Sequence, residues 1–223
     1  MNDGFQGLSQ TQLALIVFLG VLPFLMIALT SFIKFAVVIS LLRNALGIQQ
    51  IPPNIVIYSI ALVMTAYVML PVGIESGQVV SEIMQEGRPI LPEIETIAQP
   101  FVFFVERYAA SAEVEFFQDS ARRMWDEDIA DMVLDAESGS LKSLAVHMPA
   151  FVVSELGRAF QIGFLLYLPF VIIDLIVANV LLALGMASLS PVTVSLPLKL
   201  LLFVALDGWR RLLEALVLSY GVI

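Results

Sequence analysis

The sequence predicts an all-α membrane protein built from two hydrophobic helical hairpins that flank a helical acidic insert. Of the 223 residues, 59% are hydrophobic and 14% are charged, whereas a soluble domain carries about 25% charged residues. The apolar residues form long uncharged runs, and about 20 apolar residues in a helix cross a bilayer core. Between Val72 and Met148 lie 15 acidic and 5 basic residues, a local net charge of −10.

The same composition excludes several classes of function. The net charge of −9 argues against nucleic acid as a partner, because phosphate binding needs a basic face. Without cysteine there is no disulfide, thiolate metal site or cysteine nucleophile. His147 is the only histidine, and one histidine cannot build a usual zinc site. No nucleotide-binding or hydrolase motif is present, so we expect that the protein is not an enzyme and binds no cofactor.

Residues 1–74 form the predicted N-terminal hairpin. The uncharged runs Leu13–Ile33 and Ile55–Ile74 are each long enough to span a membrane. Gly47 is a candidate residue for ending the intervening helix. Proline lacks an N–H and restricts the residue before it, so the chain should break at Pro52, Pro53 and Asn54. We expect Asn54 to be the N-cap of the following helix.

Residues 75–148 form the predicted acidic extramembrane insert. Apolar side chains recur at helical spacing over Pro92–Ala110 and again over Glu113–Leu134. Acidic side chains occupy the remaining positions, including the charged string at 125–128. This pattern is typical of solvated amphipathic helices, and it favours a helical layer over a site of paired catalytic carboxylates.

Residues 149–223 form the predicted C-terminal hairpin. Its uncharged stretches are Ala159–Ile173, Leu175–Leu198 and a final Ala215–Ile223. These segments are apolar on all sides, as expected of helices that face lipid or neighbouring helices. We count two hydrophobic segments in each apolar block, which gives four in the chain, paired as two hairpins.

A few charges lie inside the apolar blocks. Such a charge costs at least about 2.5–3.5 kcal/mol at bilayer depth, so it normally faces protein or water and has a partner. Glu155 is three residues from Arg158 and can pair within one helix, or it can pair with Lys199 from the next hairpin. Structural ion pairs and a proton or ion relay both remain open. The charges are Lys34, Arg43, Glu155, Arg158, Asp174, Lys199, Asp207, Arg210 and Arg211.

Several strings in both apolar blocks resemble the FliP/SctR family, a core component of the type III secretion export apparatus. They cover about two thirds of the chain in order, and the acidic insert has no comparable match. The form Gly-Ile-Gln-Gln-Ile-Pro-Pro-Asn resembles the injectisome branch more than the flagellar one. The strings are Thr30–Lys34, Val37–Gly47, Gln49–Asn54, Pro149–Leu156, Ala159–Phe164, Leu168–Phe170, Leu189–Pro197, Lys199 and Asp207–Trp209.

The resemblance implies a multi-pass protein of the bacterial inner membrane. Five copies would form a ring-shaped pore, with part of the assembly on the periplasmic side. It implies partners in a small two-helix subunit, a larger hydrophobic subunit, an autoprotease switch subunit and the major export-gate subunit. Membrane lipid would surround the pore, and unfolded protein substrates would pass through it. In such an assembly the apolar segments pack mainly on neighbouring subunits.

The resemblance also implies roles for individual residues. Members of the family carry a methionine cluster in the loop after the third hydrophobic segment. Flexible methionine side chains are suited to closing the pore. Here only Met186 is present, so Leu189 is expected to contribute to the pore seal. Glu155 and Lys199 fall on positions linked with inter-subunit salt bridges. The alternatives are the flagellar counterpart and a small ion-coupled transporter that uses Asp174 and Asp207. The lack of a nucleophile–base pair argues against an intramembrane hydrolase.

Overall fold

The computed structural model describes residues 16, 20–21, 23–48 and 51–221. This part of the chain is helical and contains no strand, which confirms the all-α prediction. Residues 23–28 are helical, and 3₁₀ turns lie at Leu91–Glu93 and Leu141–Ser143. The helices that follow are α1 (Phe32–Ala45), α2 (Asn54–Gln85), α3 (Ile94–Tyr108), α4 (Ser111–Met124), α5 (Glu127–Leu134), α6 (Leu144–Ala183), α7 (Pro191–Ala205) and α8 (Gly208–Leu218).

Helix α1 lies at the centre of the molecule. Its side chains Phe35, Val38 and Leu42 are fully buried, and it packs most extensively against α6 and also against α2. The two backbones approach closely at Gly163 of α6, where an added Cβ would lie 2.3 Å from Leu41 Cδ1. A larger residue at this position would push the two helices apart.

The end of α1 matches the prediction made at Gly47. This glycine has a φ of +79°, and its N–H donates to Asn44 O at 3.0 Å while Ile48 N–H donates to Arg43 O at 3.4 Å. These two bonds form a Schellman motif, which favours glycine at this position.

The break before α2 is held by a side chain from α1. Arg43 Nη1 donates to Asn54 Oδ1 at 2.6 Å and to Pro52 O at 3.3 Å. Helix α2 begins at Asn54 itself, with Pro53 in the N-cap position and no side-chain cap. The prediction that Asn54 caps this helix is therefore wrong, because the arginine occupies its side-chain oxygen.

Helices α2 and α6 extend beyond the hydrophobic stretches that predicted them. Helix α2 continues through Pro71 to Gln85, and α6 continues through Pro169 and Asp174 to Ala183. The limits drawn at 74/75 and 148/149 consequently lie inside continuous helices. The chain breaks between α6 and α7, so the uncharged stretch Leu175–Leu198 is divided between the end of α6 and the start of α7.

Glycine explains the position of that break. Gly185 has a φ of +72°, and Met186 N–H donates to Leu181 O at 2.9 Å across the end of α6. Asp174 lies within α6, where Lys199 of α7 pairs with it at 2.7 Å. The charge that separates two uncharged stretches of the sequence therefore lies within one helix.

Two described helices are long and apolar enough to cross a membrane: α2, and α6 with its preceding turn. Helices α7 and α8 meet at a bend of 60° and provide a third candidate if they are counted as one span. Within the predicted segment Leu13–Ile33, positions 13–15, 17–19 and 22 lie outside the described residues. The described part thus accounts for two or three of the four predicted segments.

The acidic insert packs against the first turns of α6 through α3 and α4. Helix α3 buries Phe104 and Val105 on its apolar face, and the Phe104 ring lies 5.8 Å from that of Phe151 of α6. The predicted helical stretch Glu113–Leu134 is interrupted at Trp125 and Asp126, which have extended backbones and separate α4 from α5. The insert therefore shares the main core.

Candidate functional site: two buried charge clusters and an exposed loop

The first buried cluster is centred on Glu155, whose side chain is fully buried in α6. Its Oε1 accepts from Arg158 Nη1 at 2.8 Å, and its Oε2 lies 3.2 Å from Lys34 Nζ. The hydroxyl of Tyr220 donates to the same Oε2. Both carboxylate oxygens are thus engaged, which is the condition under which a buried charge is tolerated.

The remaining members of this Glu155 cluster connect it to α3 and to the segment after α8. Lys34 Nζ donates to Ser219 Oγ at 3.0 Å and lies 3.7 Å from the centre of the Tyr220 ring. Tyr108 donates its hydroxyl to the Tyr220 carbonyl, and Arg158 donates to the Tyr108 carbonyl at 2.7 Å. The cluster therefore joins four distant parts of the chain.

The second buried cluster, the Lys199 cluster, joins α6, α7 and the end of α1. Lys199 is 2% exposed, and its Nζ donates to Asp174 Oδ2 at 2.7 Å and to Ala45 O at 3.2 Å. Ser195 donates its hydroxyl to Asp174 Oδ1. Ala45 is the last residue of α1, where the helix dipole favours a cation.

The structure pairs Glu155 with Arg158 within one helix and does not bring Glu155 to Lys199. Each of the two has its own partner in the chain, so an interaction between them across subunits stays a prediction. Sequence reasoning did not find Lys34 as the partner of Glu155 or Asp174 as the partner of Lys199. The sequence identified Lys34 and Lys199 as charges in apolar surroundings. This indicated that each needs a partner, but not which residue that partner is.

The other predicted charges lie outside these clusters. Arg43 holds the break before α2, as described above. Asp207 is exposed at a φ of +51° between α7 and α8, a conformation that aspartate tolerates better than most residues. The two aspartates of the transporter alternative therefore have different surroundings, since only Asp174 is paired with a lysine.

The two predicted seal residues lie in the loop at 184–190. Met186 and Leu189 are each 43% exposed, and Leu189 N–H donates to Met186 O at 3.2 Å. This turn displays both apolar side chains beyond the end of α6. Among the described residues no group of histidine, cysteine, aspartate or glutamate side chains is arranged to hold a metal ion.

A third polar site fixes the loop between α5 and α6. Glu106 of α3 accepts from the hydroxyls of Ser138 and Ser143 at 2.5 Å each, and from Gly139 N–H at 3.1 Å. Partial burial raises the pKa of the Glu106 carboxyl, but these three bonds and the nearby His147 outweigh it, and the net pKa is lowered. The ionised carboxylate thus stabilises the loop.

Comparison with known proteins finds similarity over nearly the whole chain. The FliP family matches residues 15–216. Yop proteins translocation protein R of Yersinia pestis is 49% identical over 210 residues, covering 91% of this chain and 92% of the relative. Virulence protein YscR of Salmonella typhimurium is 42% identical over 216 residues, covering 96% and 98%. Hypersensitivity response secretion protein HrcR of Ralstonia nicotianae is 42% identical over 207 residues, covering 91% and 93%.

Charge reversal tests the pairing of Lys199. We expect Lys199→Glu to lower the free energy of unfolding by at least about 3–5 kcal/mol, the usual cost of breaking a buried pair. The second substitution Asp174→Lys should recover much of the loss, and Glu155→Lys should not. Thermal unfolding of the detergent-purified protein measures both effects.

The exposed pair of Arg88 with Glu86 and Glu93 provides the matched control. Arg88→Glu should cost less than about 1 kcal/mol, as for other surface ion pairs. Recovery by Glu155→Lys in place of Asp174→Lys would contradict the assignment of partners within the chain.

The Glu106 site predicts a pH-dependent loop. Because the pKa of Glu106 is lowered in the folded state, its stabilisation is complete above the ordinary carboxyl pKa of about 4.3 and is lost as pH falls through the lower folded-state pKa. Glu106→Gln should weaken loop closure by about 1–2 kcal/mol at neutral pH. Hydrogen exchange of the Gly139 amide should be faster in the variant at pH 7 and converge with wild type in acid.

The control for this experiment is Glu115→Gln, which changes an exposed carboxylate on α4. It should leave the exchange of Gly139 unchanged at both pH values. Equal exchange in wild type and Glu106→Gln at pH 7 would show that the carboxylate does not hold the loop.

Proposed function

The chain belongs to the FliP family, and from this premise we propose that it is a pore-forming core subunit of a type III secretion export apparatus. In this role it admits unfolded secretion substrates across the bacterial inner membrane. Relatives named for translocation, virulence and hypersensitivity-response secretion support an injectisome apparatus over a flagellar one. The role is structural, without a cofactor or a reaction of its own.

The observation that carries the proposal is the contrast between the inside and the outside of the helices. Each fully buried charged side chain has a partner of opposite charge within the chain, while the long helices expose large apolar side chains over much of their length. Soluble monomers rarely leave such extended apolar faces uncovered. Examples on α2, α6 and α7 are Leu62, Val63, Tyr67, Phe164, Leu165, Ile172, Leu201 and Val204.

These faces are covered, in our proposal, by further copies of this chain and by other hydrophobic subunits, with lipid at the periphery. Five copies form the ring, joined by the small two-helix subunit and the larger one. The autoprotease switch subunit and the major export-gate subunit contact the assembly, part of which stands on the periplasmic side. Because each fully buried charge already has a partner within the chain, the apolar faces can associate without desolvating those charges.

The mass of the gently solubilised complex tests this function. Native mass spectrometry of the tagged chain should find several copies together with smaller hydrophobic subunits. Leu165→Glu should abolish this complex, since a carboxylate would then lie within the proposed interface. Leu91→Glu, at the same exposure of 66% but in the insert, should leave it intact. A lone monomer that conducts a small solute would overturn the proposal.

Met186 and Leu189 are proposed to close the pore when no substrate occupies it. Both are apolar and displayed from one turn, and methionine adapts to an irregular partner at low cost. We expect the double variant Met186→Ala, Leu189→Ala to raise the leak of small solutes in cells carrying the apparatus. Leu182→Ala, in the last turn of α6, is the control and should leave the leak unchanged. An unaltered leak in the double variant would place the seal elsewhere.

A further inference from the structure

A cavity of about 310 Å³ opens beside the Glu155 cluster, between α1, α3, α6 and the segment after α8. Its walls include three basic side chains, Lys34, Arg107 and Arg158, together with Gln161 and Ser219. No acidic side chain of the described residues lines it. We propose that this cavity binds the phosphate headgroup of an anionic phospholipid.

The charge balance of the cluster favours an anion in this cavity. Lys34 and Arg158 share a single carboxylate, that of Glu155, at 3.2 and 2.8 Å. Glu155 is fully buried behind the wall and cannot reach a ligand. Two cations against one anion leave a net positive charge at the wall of the cavity, and this charge attracts an anion.

The hydrogen-bonding capacity of Arg158 suits a phosphate. Within the described residues both of its hydrogen bonds leave from Nη1, to Glu155 and to the Tyr108 carbonyl. Its Nη2 and Nε therefore remain to donate, and the planar guanidinium matches two phosphate oxygens at once. The side chain is 38% exposed, so a ligand can reach it.

The position of the cavity along α6 favours a lipid as the source of the phosphate. Arg158 immediately precedes the uncharged stretch Ala159–Ile173, in which Phe160 and Leu168 are exposed. A phosphate held at Arg158 would therefore lie at the polar end of an apolar surface that acyl chains can cover. Basic pockets between membrane helices bind anionic headgroups in this way.

Lipid binding to the full-length purified protein tests the proposal. Native mass spectrometry should find phosphatidylglycerol bound at least tenfold more tightly than phosphatidylcholine, whose choline cation the basic walls repel. Gln161→Glu introduces a carboxylate into the wall and should weaken phosphatidylglycerol binding at least tenfold. Gln161 is exposed, so this change should leave the thermal unfolding midpoint near that of wild type.

Two controls separate local charge from other effects. Gln85→Glu adds the same charge at an exposed site at the end of α2 and should leave phosphatidylglycerol binding unchanged. Gln161→Ala removes the amide without adding charge and should change the affinity less than threefold. Unchanged binding in Gln161→Glu would overturn the proposal.

Two further outcomes identify a different occupant. Soluble glycerol phosphate that binds as tightly as phosphatidylglycerol would overturn the assignment to a lipid. Failure of phosphatidylglycerol to bind, combined with loss of the multi-subunit complex in Gln161→Glu, would assign the cavity to a partner carboxylate and overturn the proposal. Neither readout requires secretion, so the cavity and the proposed pore function are tested separately.

Discussion

The structure depends on how a fully buried carboxylate is neutralised. Glu155 lies among apolar helices, where an unpaired charge would cost several kcal/mol. Lys34 of α1 provides one partner at 3.2 Å, and this contact fixes the start of α1 against α6. Lys199 fixes the other end of α1 through the carbonyl of Ala45. Between these two polar contacts the helices meet through apolar packing, with Leu41 against Gly163.

Pairing the charges internally determines what the outer surface presents. Once the lysines of the two clusters are bound to carboxylates of the same chain, the outward faces of α2, α6 and α7 are left with large apolar side chains. Such faces can be covered by lipid or by similar helices without desolvating further charge. This is the physical basis on which we propose assembly into a ring.

Local features of the chain were predictable because they depend on neighbouring residues. The helical content follows from composition and periodicity, and the end of α1 follows from Gly47. The partners of Glu155 and Lys199 were not predictable, because Lys34 and Glu155 are 121 residues apart in sequence and only packing brings them together. For the same reason Asp174 was recognised as a charge within an apolar block, but its pairing with Lys199 was not predicted. The hydrogen bond from Tyr220 to Glu155 was not predictable either, because tyrosine is uncharged and does not stand out in an apolar segment.

The order of contacts also explains where the acidic insert lies. Lys34 meets residue 155, Leu41 meets residue 163 and Ala45 meets the cluster containing residue 174, so α1 and α6 run in the same direction. Parallel helices cannot be joined by a short turn, and α2 must carry the chain back. With 32 residues and about 1.5 Å of rise per residue, α2 is more than twice as long as α1. The insert therefore forms beyond the Lys34 end, where Tyr108 reaches the Glu155 cluster and the basic cavity opens between polar and apolar parts.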